Sequence, residues 1–340
     1  MKRVAVVGFG FMGRTHYSAW TKCRGAKVTA VCDSNLAQMS AKVKGNISGV
    51  GGDCRIGGEV KVFSDYGEML SRGGFDIVDL TLPTPFHPAM AVAALERGFH
   101  VLCEKPMALT LGDCDRMLAA ADKAGRRLLV AHCVRFFPEY AALRKIVESG
   151  KYGKVTAAEF TRYMAVPKWS PDGGSWLLDE KKSGGLYLDA HIHDADYIFS
   201  LFGKPEYVTS RLHKSPHGYV DHMATIYDYP GMMITSSSSF AASDSLVWDA
   251  SARVFLEKAS VYLGGASRMG RLTVYPEGGK PFAPRLSALN GYEAEIRYFL
   301  DCVEGREKEK PLTPADAREA VRIVRLERRS AELARRIRVG

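Results

Sequence analysis

The sequence predicts an α/β protein in two parts. The first is a doubly wound parallel sheet. The second is a C-terminal α/β domain on a large, open, mostly antiparallel sheet. Three observations predict this. An apolar run leads straight into a glycine-spaced turn and a helical stretch within residues 2–24. Strand-length apolar runs then alternate with helical segments as far as residue 134. Past Arg135 the rhythm changes, and over 206–274 strand-like runs follow one another with short turns. The expected domains are 1–128 and 129–340.

Residues 4–7 are all apolar and read as a strand buried on both faces, with Gly8, Gly10 and Gly13 following in a G-x-G-x-x-G. The spacing has a physical cause: Gly8 permits the tight turn, Gly10 lets a pyrophosphate approach the backbone, and Gly13 lets the helix pack close to the strand. Phe11 and Met12 begin that helix, whose N-terminus offers N–H groups and a positive dipole end to phosphates. A second apolar strand, 28–32, ends at Asp33, twenty residues beyond Gly13, where a carboxylate accepts hydrogen bonds from the adenosine ribose hydroxyls. Asp33 would repel a 2′-phosphate, and Ser34 and Asn35 supply no arginine to receive one, so NAD is favoured over NADP.

A weak helix over 36–43 leads into 45–58, a loop with six glycines and longer than most connections. A short strand (60–63) and short helix (65–70) precede the buried strand 76–81. The segment 83–88 follows, then a helix over 89–97 that Gly98 ends. Residues 100–103 are the next strand, leading into Glu104-Lys105-Pro106. Thr110 is the expected N-cap of a helix over 111–124, closed by Gly125, and 128–134 is a sixth strand. Further on come a helix over 138–149, a half-buried strand over 154–164, a loop holding Trp169 and Trp176, and a helix over 186–202. Helices over 291–303 and 315–337 close the chain. No internal repeat is visible.

Composition sets limits. A chain of 340 residues with 46% hydrophobic and 25% charged content is that of a soluble globular protein too long for one ordinary core. No apolar run approaches membrane-spanning length, and 4–7 is too short for a signal peptide's apolar region. Seven scattered cysteines without a C-x-x-C pair suggest reduced thiols and a cytoplasmic location. Much of the net charge of +9 lies in the last helix, where arginines mix with Glu319, Glu327 and Glu332. Interleaved acids point to a solvated helix face rather than a nucleic-acid surface.

Three segments carry candidate chemistry. Lys105 follows a buried strand directly, at the sheet edge where the nicotinamide should lie, with Glu104 before it and Pro106 fixing the backbone after it. On a helix, Asp189 and His193 share a face, Asp196 continues the stripe, and His191 points elsewhere. Such a stripe suits proton abstraction from an alcohol, with metal ligation and structural hydrogen bonding as alternatives; no metal is expected. Thr81 ends another buried strand, Pro83 and His87 follow it, and His87 either contacts the cofactor or caps the next helix. Arg135, His132, Tyr163, Trp169, Trp176 and His191 are the candidate pocket walls.

Taken together, Gly8-x-Gly10-x-x-Gly13, Thr84-Pro85-Phe86-His87, Glu104-Lys105-Pro106 and Gly184-Gly185-x-x-x-Asp189-x-x-x-His193 resemble the glucose–fructose oxidoreductase, inositol dehydrogenase and MocA-type family over essentially the whole chain. The resemblance implies a nicotinamide-binding domain and a C-terminal domain whose open sheet makes homodimers or homotetramers. It also implies oxidation or reduction of a hydroxyl or carbonyl on a sugar, polyol or derivative. Lys105, Asp189 and His193 match the family's lysine, aspartate and histidine. His191 departs, standing where many relatives have a small residue, usually glycine. The expected reaction has His193 take the hydroxyl proton, Asp189 orient it or a substrate hydroxyl, and Lys105 stabilise the alkoxide. The rivals are glycoside cleavage through transient oxidation and a non-catalytic NAD(H) sensor.

Overall fold

The computed structural model describes residues 1–40, 54–166, 176–243, 245–246, 248–264, 271–307 and 311–340. Most of the glycine-rich loop, 45–53, and Trp169 lie outside the described residues. The chain forms two compact units, Met1–Phe136 with Leu289–Arg318, and Phe137–Ala288 with Glu319–Gly340.

In the first unit, strands and helices alternate as β1 (Lys2–Val7), α1 (Phe11–Lys22), β2 (Ala26–Cys32), α2 (Leu36–Ser40), β3 (Lys61–Phe63), α3 (Tyr66–Arg72), β4 (Ile77–Leu80), α4 (His87–Glu96), β5 (His100–Glu104), α5 (Leu111–Ala124) and β6 (Leu128–Ala131). All pairings are parallel, in the order β3-β2-β1-β4-β5-β6. The order reverses between β1 and β4, which places the ligand-binding edge of such a sheet at the carboxyl ends of those strands. The apolar residues of β4 and β6 are buried without alternation, as strands covered on both faces require. Local signals hold: Thr110 accepts from Asp113 N–H (3.1 Å) to cap α5, and Gly125 ends it in the left-handed conformation.

Two boundaries differ from expectation. The sixth strand stops at Ala131, because residues Cys133–Phe136 wind into a 3-10 turn. The first unit also extends past residue 128 to Phe136 and recovers 289–318, including α9 (Gly291–Val303). The cause is packing: Phe136 and Tyr298 rings lie 5.3 Å apart, Lys22 pairs with Glu293 at 2.7 Å, and Arg318 with Asp115 at 2.6 Å.

The second unit continues with α6 (Pro138–Glu148), β7 (Val155–Tyr163), α7 (Glu180–Ser183), a π-helical turn (Tyr187–His191) running into α8 (Ile192–Phe202), and β8 (Tyr207–Lys214). Then come β9 (Val220–Tyr229), β10 (Met232–Ser239), β11 (Asp249–Leu256), β12 (Ala259–Gly264), β13 (Leu272–Pro276), most of α10 (Pro314–Leu333), and β14 (Ile337–Arg338). Eight strands form one sheet in the order β13-β12-β11-β7-β10-β9-β8-β14, in which only β10 and β7 run parallel. Alternate residues of β9 (Met223, Thr225, Tyr227, Tyr229) are buried, so the sheet has one core face and one open face. The last helix ends at Leu333, earlier than expected, because the chain returns as β14 to pair with the edge of β8. Along α10, Arg322 pairs with Glu319, and Arg328 with Glu332 and Glu180, but of the three interleaved acids only Glu332 is exposed: Glu319 is buried, and Glu327 is fully buried against His191.

Candidate functional site

The glycine turn is built so that side chains are excluded. Gly8 has φ +87°, and a Cβ there would lie 2.8 Å from Thr81 O. A Cβ on Gly13 would fall 1.9 Å from Gly8 O. Thr81, just past β4, clamps the turn by donating its hydroxyl to Val7 O (3.0 Å) and Gly8 O (2.7 Å). Gly10 is the N-cap of α1 and has no side chain to accept the first-turn N–H groups, and Phe11 and Met12 are only partly buried. That end of a twelve-residue helix suits an anion.

Asp33 does more than the sequence reading gave it. Its Oδ2 accepts from Phe9 N–H (2.6 Å) and its Oδ1 from Asn35 N–H (2.8 Å), so the carboxylate also braces the glycine turn. A carboxylate has about four acceptor positions, which leaves capacity for ribose hydroxyls. The residues present therefore fit a dinucleotide. They would hold its pyrophosphate at Gly8–Gly13 and its adenosine ribose at Asp33.

The strand ends sort differently from expectation. Pro83 is exposed, but His87 is fully buried, with Nε2 2.8 Å from Leu82 O and Nδ1 2.9 Å from Pro106 O. It staples two loops together, and both ring nitrogens are thereby occupied. Burial pulls its pKa below the ordinary histidine value, against the two carbonyls. Glu104 is likewise buried: Oε2 accepts from Lys105 N–H (3.0 Å) and Oε1 lies 3.1 Å from His16 Nε2. Burial works to raise its pKa, but His16 and Lys105 outweigh that and hold it below the usual carboxylate range. Lys105 is the only residue of 101–108 that is not buried.

His16, Asp79 and Trp20 form a buried group that the sequence reading missed. His16 Nδ1 is 3.0 Å from Asp79 Oδ2, which also accepts the Trp20 indole N–H at 2.7 Å. A signal existed: an aspartate inside the apolar run Ile77-Val78-Asp79-Leu80 needs partners once buried.

In the second unit, Gly184 (φ +82°) and Gly185 (φ +65°) turn the chain into the π-helical segment. There Ile192 N–H bonds back to Tyr187 O, five residues earlier. Asp189 and His193 are the only residues of 183–198 that are not buried, so they occupy the open side of this helix together. Asp196 is buried, which ends the expected stripe at His193. Asp194 makes a bidentate pair with Arg162 of β7 (2.9 and 2.8 Å), anchoring the start of α8.

Of the six expected pocket residues, three are buried, one is partly exposed, and the side chains of two lie outside the described residues. His191 is fully buried, with Nε2 2.7 Å from Glu327 and Nδ1 2.9 Å from Ser238 Oγ, so it braces the π turn against α10 and β10. Arg135 is buried in the first unit, donating to Pro311 O at 2.7 Å, and His132 beside it is buried as well. Tyr163 stays partly exposed, its ring 6.0 Å from that of His222. Trp176 opens a 3-10 turn (Trp176–Leu178), and its side chain, like all of Trp169, lies outside the described residues.

Residues 2–132 match the model of an oxidoreductase family with an NAD-binding Rossmann fold, and residues 140–262 match the GFO/IDH/MocA C-terminal domain. The chain is 32% identical over 206 residues to a D-glucoside 3-dehydrogenase of Escherichia coli, covering 60% of this chain and 54% of that protein. It is 30% identical over 208 residues to a 2,7-anhydro-N-acetylneuraminate hydratase of Mediterraneibacter gnavus, covering 60% and 50%. The matched stretch thus spans about half the length of these relatives. In fold it is similar to a crystal structure of aldose-aldose oxidoreductase from Caulobacter crescentus complexed with glycerol, at TM-score 0.83, 21% identity, and 99% coverage of both chains. With both halves matched, and a glycine turn and strand edge that fit a dinucleotide, the chain belongs to the Gfo/Idh/MocA oxidoreductase family and carries its NAD-binding Rossmann domain.

Proposed function

We propose that this protein is an NAD-dependent oxidoreductase acting on a hydroxyl or carbonyl of a sugar, polyol or related carbohydrate. The observation that carries the reading is the place of Lys105: the one partly exposed residue of the buried run 101–108, directly after an interior strand of a dinucleotide-binding sheet. When bound, NAD supplies the hydride acceptor. Lys105 then stabilises the developing alkoxide by charge, an effect that grows where water is excluded. His193 takes the hydroxyl proton, and Asp189, on the same open side of its helix, orients His193 or a substrate hydroxyl. The test is a panel of myo-inositol, methyl glucosides and levoglucosan with NAD and NADP in parallel, followed for reduced cofactor and for cleavage products. NADH formation supports the reading, and no turnover on any sugar or polyol contradicts it.

A second reading is elimination through transient oxidation, favoured by the likeness to a hydratase. It predicts released sugar without accumulating NADH.

Partner and location belong to the same proposal. The open face of the eight-stranded sheet exposes Ile226 (46%), Met233 (59%) and Tyr262 (41%), an apolar set suited to a second copy of the chain. Met233→Glu should then lower the mass seen by light scattering. All seven cysteines are free thiols, which supports a cytoplasmic home. Among the described residues no helix is long and apolar enough to cross a membrane.

A further inference from the structure

Behind Lys105 lies a buried ionic chain that the proposed chemistry does not use. His16, on α1, is fully buried with a carboxylate at each ring nitrogen: Asp79 of β4 at 3.0 Å from Nδ1 and Glu104 of β5 at 3.1 Å from Nε2. Trp20, one turn along α1, fixes Asp79 by its indole N–H, and the Tyr292 ring of α9 stands 6.4 Å from the imidazole. Glu104 in turn receives the backbone N–H of Lys105 through its second oxygen, at 3.0 Å. A carboxylate beside each nitrogen, hydrogen-bonded at Nδ1 and in ion-pair contact at Nε2, favours the doubly protonated ring by charge. Burial alone would lower the His16 pKa, but Asp79 and Glu104 overcome it and hold the group well above the ordinary histidine value.

Burying three charged groups is costly, and an apolar cluster of the same size would stabilise the unit at least as well. Packing therefore does not account for the arrangement. Its connectivity does: one end is the helix that begins at the glycine turn, and the other is the backbone of the lysine. We propose that His16 is a positioning residue for Lys105. By bridging Asp79 and Glu104 it fixes the carboxylate that holds the Lys105 N–H, and so ties the phosphate-binding helix to the strand end presenting the ammonium. The inference rests on the reading of Lys105 given above.

The test is a double-mutant cycle on the full chain, with NAD and the fastest substrate of the panel. His16→Gln should lower kcat about tenfold or more, while the Kd for NAD, read by fluorescence titration, changes less than about threefold. In a Lys105→Met background the same substitution should cost less than about twofold, because the group it positions is gone. An equal loss in both backgrounds marks a general structural defect and overturns the inference alone. Unchanged turnover in Lys105→Met overturns the role of Lys105, and this inference with it. If His16→Gln does not fold, the isosteric Asp79→Asn goes through the same cycle with the same expectations. A substrate-free arm decides independently: 15N-histidine NMR of the wild-type chain should show both His16 ring nitrogens protonated at about pH 8, above the ordinary histidine range, and a neutral tautomer there overturns the bridge.

Discussion

Lys105 and His193 are exposed in the same way and for different reasons. Each stands partly open within a run of buried residues, 101–108 for the lysine and 183–198 for the histidine. The lysine owes this to topology: β5 is an interior strand of a parallel sheet, and its carboxyl end is where the chain leaves the core. The histidine owes it to its place on a helix face: it shares the open side with Asp189, four residues earlier, while His191 faces inward onto Glu327 and Ser238. A site residue placed by topology is legible in a sequence. One placed on a helix face is legible too, by its four-residue spacing, whereas the π turn beside it is not.

The largest expected effect tests the first half of that contrast. Lys105→Met should leave NAD binding within about threefold while turnover falls about a thousandfold, the scale of losing electrostatic support for a developing oxyanion. The second half is tested by two histidines two residues apart. His193→Asn should lower turnover about a hundredfold, as loss of a general base does, with the urea midpoint unchanged. His191→Asn should do the reverse, costing about 1–3 kcal/mol of stability by leaving Glu327 unsatisfied, with a much smaller effect on turnover. If the two variants behave alike, the division of labour along this helix fails.

Two histidines of the first unit, His16 buried and His100 half-buried, give a finer test by pH, with opposite signs. His16 is held protonated by its carboxylates, so its contribution is complete below the unfolded value of about 6.5 and fades as pH rises through the raised folded value. The stability gap between wild type and His16→Gln should therefore be widest in mild acid and narrow above it. His100, lowered to about 4 by burial and by Arg126, Lys2 and Arg127, is neutral in the fold. Its contribution is present above about pH 6.5 and lost as pH falls toward 4. His100→Asn should flatten that acid limb, a change of about 1 kcal/mol or less for a group only half buried. Chemical denaturation across pH reads both.

Much of this was legible beforehand, for reasons visible in particular residues. Gly8 and Gly13 could be read because a Cβ at either meets backbone, a constraint that leaves only one residue type. Thr110 and Gly125 could be read because caps are local. The burial of His87, Glu104, Arg135 and His191 could not, since each is decided by a partner far along the chain: Pro106, His16, Pro311 and Glu327. The return of α9 to the first unit is of the same kind, resting on contacts such as Phe136 with Tyr298 and Lys22 with Glu293. The π turn left no mark in the residue pattern, because a helix of 186–202 fits the same apolar spacing.

The most direct measurement follows one reaction of the chain with NAD and a sugar deuterated at its carbinol carbons, read at once for reduced cofactor and for released sugar. The account predicts deuterium-labelled NADH in proportion to oxidised product, and its loss in Lys105→Met. Sugar release with no accumulation of NADH would contradict it.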